Sequence, residues 1–108
     1  MRLVILVAAI FALGGTAISY AADDAAAEAL IKKSKCTTCH SVDKKKDGPS
    51  FKTTAEKYKG KPDAEEKLYK HLTTHPEVEV DHKKEKHESL KTTDDKEIRN
   101  VISWILSR

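Results

Sequence analysis

Cys36-Thr37-Thr38-Cys39-His40 restricts this chain more than any other segment. Two thiols three positions apart can each add to one of the two vinyl groups of a haem. The histidine that follows at once then lies beneath the iron as an axial ligand, and this spacing is that of covalent haem attachment. Three other chemistries use parts of the same segment. A dithiol redox pair wants its cysteines at a helix start after a strand, and no strand pattern precedes Cys36. A disulfide between such close neighbours closes a very small loop and stabilises little. Zinc would take Cys36, Cys39 and a histidine, but a closed site wants a second well-spaced ligand pair, for which only His71 and His75 are available. The reading adopted is one haem c, bound through Cys36 and Cys39, with His40 as proximal iron ligand.

The rest of the composition agrees with a chain that needs such a group. Its 108 residues suffice for one domain. Residues 1–21 read as a signal peptide: Arg2 gives a positive start, Leu3 to Leu13 form an apolar run, and Ser19-Tyr20-Ala21 offers small residues at the cleavage positions. The run is shorter than the ~20 residues that cross a bilayer, which favours a cleaved leader over an anchor, and no other segment is apolar enough to span, so no stable membrane insertion is expected after cleavage. Cleavage after Ala21 leaves a domain of residues 22–108. It removes one basic residue and no acid from a net charge of +3. With both signs interspersed and no aromatics alternating with the lysines, nucleic acid is not an expected partner. Only Phe51, Tyr58, Tyr69 and Trp104 remain as aromatics. A domain so short buries little surface by itself, and a large apolar cofactor would complete its core.

The hydrophobic pattern is helical. Asp23 and Asp24 precede an alanine-rich helix read from about Asp24 to Lys35, with Ala26 and Leu30 on its apolar face. Asp47-Gly48-Pro49 is a turn, and Ser50 to Lys59 forms a short helix with Phe51, Ala55 and Tyr58 on one side. Asp63 and Glu66 have the spacing of a capping box ahead of a helix carrying Leu68 and Leu72, which Pro76 closes. Residues 77–92 show no trustworthy period and read as a loop long enough to suggest a function. Asp94 and Glu97 form another capping pair, and Ile98, Val101, Ile102 and Ile105 follow at helical spacing. The fold class is all-α, with about four short helices around the haem.

Taken in order, these motifs resemble the class I c-type cytochromes, especially the small mono-haem proteins of bacterial periplasms. The resemblance rests on Cys36-Thr37-Thr38-Cys39-His40, Asp47-Gly48-Pro49-Ser50-Phe51, Ala55-Glu56-Lys57-Tyr58-Lys59-Gly60, and the ending Asp95-Lys96-Glu97-Ile98 through Trp104-Ile105-Leu106-Ser107. It implies that the Pro49 carbonyl accepts a hydrogen bond from the second ring nitrogen of His40, fixing that imidazole and raising its donor strength. It also implies that Trp104 packs the last helix against the first, near Leu30. The family's usual sixth ligand, a methionine before the last helix, has no counterpart, because the sole methionine is Met1. Counting back from Trp104, His87 falls within a residue or so of that position and is the expected distal ligand. His82 is the second choice, and His71 and His75 are expected to be solvated on a helix face.

Two axial imidazoles give a six-coordinate iron of lower potential than a histidine–methionine pair. No nucleophile with an adjacent base and no paired carboxylates lie beside the motif. The expectation is therefore a monomeric periplasmic electron-transfer protein rather than an enzyme, docking transiently with redox partner proteins. The lysines near residues 44–61 would steer acidic partners. It could also serve as a subunit of a larger oxidoreductase. The alternative is a haem-based gas- or ligand-binding protein or sensor with a displaceable sixth ligand.

Overall fold

The computed structural model describes residues 23–108, and the reading of residues 1–21 as a signal peptide lies outside them. Four helices follow one another: α1 (Asp24–Lys33), α2 (Phe51–Tyr58), α3 (Ala64–Thr73) and α4 (Asp95–Leu106). A 3-10 turn, Cys36–Thr38, follows α1, and a two-stranded hairpin, β1 (Glu77–Val80) and β2 (Lys83–Lys86), separates α3 from α4.

The last helix is the centre of the packing. It contacts α1, α2 and α3 because Ile98, Val101, Ile102, Trp104 and Ile105 form one broad buried face, with Ile102 fully inaccessible. The other helices each bring two or three apolar side chains: Ala27, Leu30 and Ile31 from α1, Phe51 and Ala55 from α2, Ala64, Leu68 and Leu72 from α3. Trp104 and Leu30 share this cluster. Ile31 turns the buried face of α1 by one residue from the expected one, so Ala26 is exposed and Ala27 is inside. At the open end of α1, the Asn100 side chain accepts from Asp23 N–H at 2.8 Å and donates to its carbonyl at 2.9 Å. That pair ties the start of α1 to the middle of α4.

Side chains cap three of the four helices, and of the two capping pairs read from sequence the one at Asp94 is found. Asp23, Ser50 and Asp94 each accept a backbone N–H two or three residues into the helix they start. Asp63 does not cap α3, contrary to the box read there, and instead meets Lys67 at 3.0 Å. The first helix also ends at Lys33 rather than Lys35, because Lys35 takes a left-handed backbone (φ 59°) that opens the cysteine turn.

The larger correction concerns residues 77–86, read as loop and folded as a hairpin. Glu77-Val78-Glu79-Val80 alternates with period two, as a strand requires. Asp81 and His82 both have positive φ, 49° and 64°, which is the backbone of a tight two-residue hairpin turn. Acids then face lysines across the strands, Glu77 opposite Lys86 and Glu79 opposite Lys84. The hairpin pairs with itself and makes few contacts with any helix.

Candidate functional site: a haem-attachment turn and two facing imidazoles

The cysteine turn is short and internally bonded. Cys39 and His40 both donate their backbone N–H to the Cys36 carbonyl, at 3.3 and 3.0 Å. This brings the two thiols and the imidazole to one end of the helix cluster. Cys36 packs against the hydrophobic core, and burial pushes its thiol up from the ordinary value. The two cysteines are not joined to each other.

His40 is held on three sides. Its Nδ1 donates to the Pro49 carbonyl at 2.7 Å, so Nδ1 carries the proton and Nε2 presents a lone pair. Its ring stacks on Phe51, centroids 5.5 Å apart. Its third neighbour is Gly48: a Cβ built there would lie 2.4 Å from His40 Cε1 and 2.8 Å from Nδ1. Glycine is required at 48 because the imidazole lies against its backbone. The surrounding loop is stitched to itself by Gly48 N–H to Cys39 O at 2.8 Å, Phe51 N–H to Ser41 O at 2.9 Å and Lys52 N–H to Val42 O at 3.1 Å. Phe51 continues the ring contacts inward, edge-on to Trp104 at 5.3 Å.

Across from this loop stands His87, with its ring centroid 6.0 Å from that of His40. His87 is half-buried, and burial followed by the neighbouring His40 lowers its pKa. His71, expected on a solvated face, is instead half-buried with its ring 4.2 Å from His87. Burial, then His87, His40 and Lys57, bring its pKa down to about 4. Both shifts favour the neutral imidazole, the form in which histidine binds metals. His75 is exposed as expected, but it lies beyond the end of α3 and not on the helix. His82, the second choice for a distal ligand, sits at the hairpin turn with its side chain fully exposed near Glu79; the fold does not bring it to the other histidines.

These residues fit a haem. The 6.0 Å between the His40 and His87 ring centroids would accommodate a metal bound by one nitrogen of each imidazole at about 2 Å. Among the described residues no three His, Cys, Asp or Glu side chains converge to cage an ion. A metal between the two imidazoles would take its remaining ligands from a cofactor ring. His87 Nδ1, Ser89 Oγ and Trp104 Nε1 are buried without a hydrogen-bond partner. Such orphaned groups are costly enough to call for an explanation, and a bound cofactor with polar edges supplies one.

Four helices gathered around a Cys-x-x-Cys-His turn define a protein that attaches haem covalently. Residues 25–108 match the cytochrome c family, and the chain belongs to it. Haem c, covalently bound and holding one iron, is the family's cofactor and this chain's. Among solved structures, the chain is similar to the class 1 cytochrome MtoD from Sideroxydans lithotrophicus ES-1, with 43% identity, 81% of this chain and 97% of that one covered, and a TM-score of 0.77. It is also similar to wild-type cytochrome c552 from Nitrosomonas europaea, with 28% identity, 74% and 96% covered, and a TM-score of 0.58. Both likenesses support the class I type and the mostly helical fold. A comparison with curated proteins gives no match.

Proposed function

We propose that this protein is a periplasmic carrier of single electrons whose haem is attached through Cys36 and Cys39 and held between His40 and His87. Bound haem c supplies the one-electron exchange. The chain's own residues supply attachment, axial nitrogens, burial and charge. Pro49 keeps the proton on His40 Nδ1, which leaves Nε2 free to bind iron and strengthens it as a donor. The observation that carries the assignment of His87 is its ring facing that of His40 at 6.0 Å. A pair of imidazoles would close both axial positions and set a lower potential than a histidine–methionine pair.

Export rests on the leader read in residues 1–21 and on the habit of the family. Among the described residues no helix is long and apolar enough to cross a membrane. Partners are transient redox proteins. The lysines between 44 and 61 give that region the positive charge to draw acidic surfaces.

The test is the visible and electron-paramagnetic spectrum of the purified protein and of His87→Ala. The parent is expected to be low-spin in both oxidation states, and His87→Ala high-spin in at least one. An unchanged low-spin spectrum in that variant would remove His87 from the iron. A second reading, a ligand-binding haem protein with a displaceable sixth ligand, draws on one observation: the His87 Nδ1 lacks a partner, whereas that of His40 has one. Rapid carbon monoxide binding by the reduced parent, with the fold intact, would favour it.

A further inference from the structure

Between α3 and β1 the chain turns on His75, whose φ of 49° is left-handed. Histidine, asparagine and aspartate adopt this backbone more readily than most residues, but it persists only where surrounding contacts over-determine it. Here the contacts converge on one residue. His75 Nδ1 lies 3.2 Å from the His87 carbonyl oxygen; a carbonyl only accepts, so Nδ1 carries the proton and donates. The next residue, Pro76, turns its own carbonyl to the His87 N–H at 2.8 Å. Two consecutive residues thus grip both polar groups of the His87 backbone. The His87 Nδ1 meets no well-aligned hydrogen-bond partner among the described residues. Its position is inherited from its backbone and from the His71 ring beside it.

We infer that His75 is a positioning residue for the distal ligand: its left-handed backbone and ring donor hold His87 where it faces His40. The inference rests on the reading of His87 as that ligand. It differs from the exposed helix-face role expected for His75 from sequence, and it gives a use to a strained residue otherwise without one. Further along, Leu90 N–H donates to Leu72 O at 3.0 Å and Lys91 N–H to Ser34 Oγ at 2.9 Å. The segment is therefore anchored on both sides of His87, and His75 supplies the side-chain anchor on the upstream side.

The experiment uses the reduced holoprotein and carbon monoxide, which binds only when the distal ligand has left the iron. His75→Gly keeps the left-handed backbone and removes the ring donor. His75→Asn tolerates the backbone and keeps a side-chain donor. His75→Gly is expected to bind carbon monoxide about fivefold faster than the parent, the weight of one hydrogen bond, while its thermal midpoint and low-spin spectrum stay near the parent's. His75→Asn is expected to return the rate toward the parent's. A parental rate in His75→Gly, or equal acceleration in both variants, overturns the positioning role. His87→Ala measured alongside separates the two readings: if it turns high-spin, ligation stands whatever His75 does, and if it stays low-spin, ligation falls and the positioning role with it.

Discussion

The stretch from Cys36 to Phe51 and the stretch from His71 to Leu90 each bring an imidazole to the same space, yet they hold it by opposite means. On the first, everything that fixes His40 lies within a dozen residues: the Pro49 carbonyl, the Gly48 backbone and the Phe51 ring. On the second, His87 depends on distant parts of the chain. Leu72 and Ser34 anchor the segment after it, His75 and Pro76 the residue itself, and His71 its ring. A local loop can be written as a motif and recognised by spacing. A set of long-range contacts cannot.

The largest way to break this comparison is to remove what joins its halves. With both Cys36 and Cys39 replaced by alanine, the haem-free chain is expected to lose its cooperative thermal transition, because so short a domain has little core to spare. Calorimetry checks this, and a sharp transition in the haem-free variant would show that the helices suffice. Next comes Gly48→Ala. The added methyl would meet His40 at 2.4 Å, so the ring must move off its Pro49 partner, and both the potential and the axial spectrum should shift. Pro49→Ala, which keeps the carbonyl, is expected to shift them less. Equal shifts would mean that proline's fixed backbone, not the room at 48, governs the imidazole.

The smallest effect falls on the ion-pair brace between α3 and α4. Arg99 of α4 reaches Glu65 of α3 at 2.8 Å and Asp95 at 2.9 Å, and lies over the Tyr69 ring. These groups are exposed, and exposed pairs contribute little. The hydrogen bond from Arg99, then that from Tyr69, holds the Asp95 carboxyl below the usual range. A depressed carboxylate pKa adds stability that is complete above its unfolded value near 3.8 and drains away as pH falls below it. Arg99→Ala should therefore show a slightly lower melting temperature at neutral pH, with the difference from the parent narrowing below about pH 4. A difference that grew in acid would point to another cause.

The proximal half was legible because its chemistry demands adjacent residues: two thiols, an imidazole and a proline turn, in order. Helix α4 was legible too, since Ile98, Val101, Ile102 and Ile105 announce their face. Other features were hidden for identifiable reasons. The hairpin turn uses Asp81-His82 where glycine or asparagine would have signalled it, and four alternating residues are a weak strand pattern. His71 stands three residues after Leu68 and one before Leu72, spacing that placed it beside the apolar face of α3 and was the available sign that it points inward. Gly48 read as a turn glycine, and only the imidazole lying against it reveals why a larger residue fails there. Asp63 and Glu66 had the letters of a capping box, but the nearer Lys67 ammonium engages the carboxylate instead.

The bond from His87 N–H to the Pro76 carbonyl closes the hairpin at its base, so the ten residues from Glu77 to Lys86 leave the domain and return to the place they left. The placement of His87 is thereby uncoupled from the length of what lies between. Sequence inserted at Asp81-His82, such as a fluorescent tag or an electrode tether, would extend from the tip without changing the path of the chain into His87.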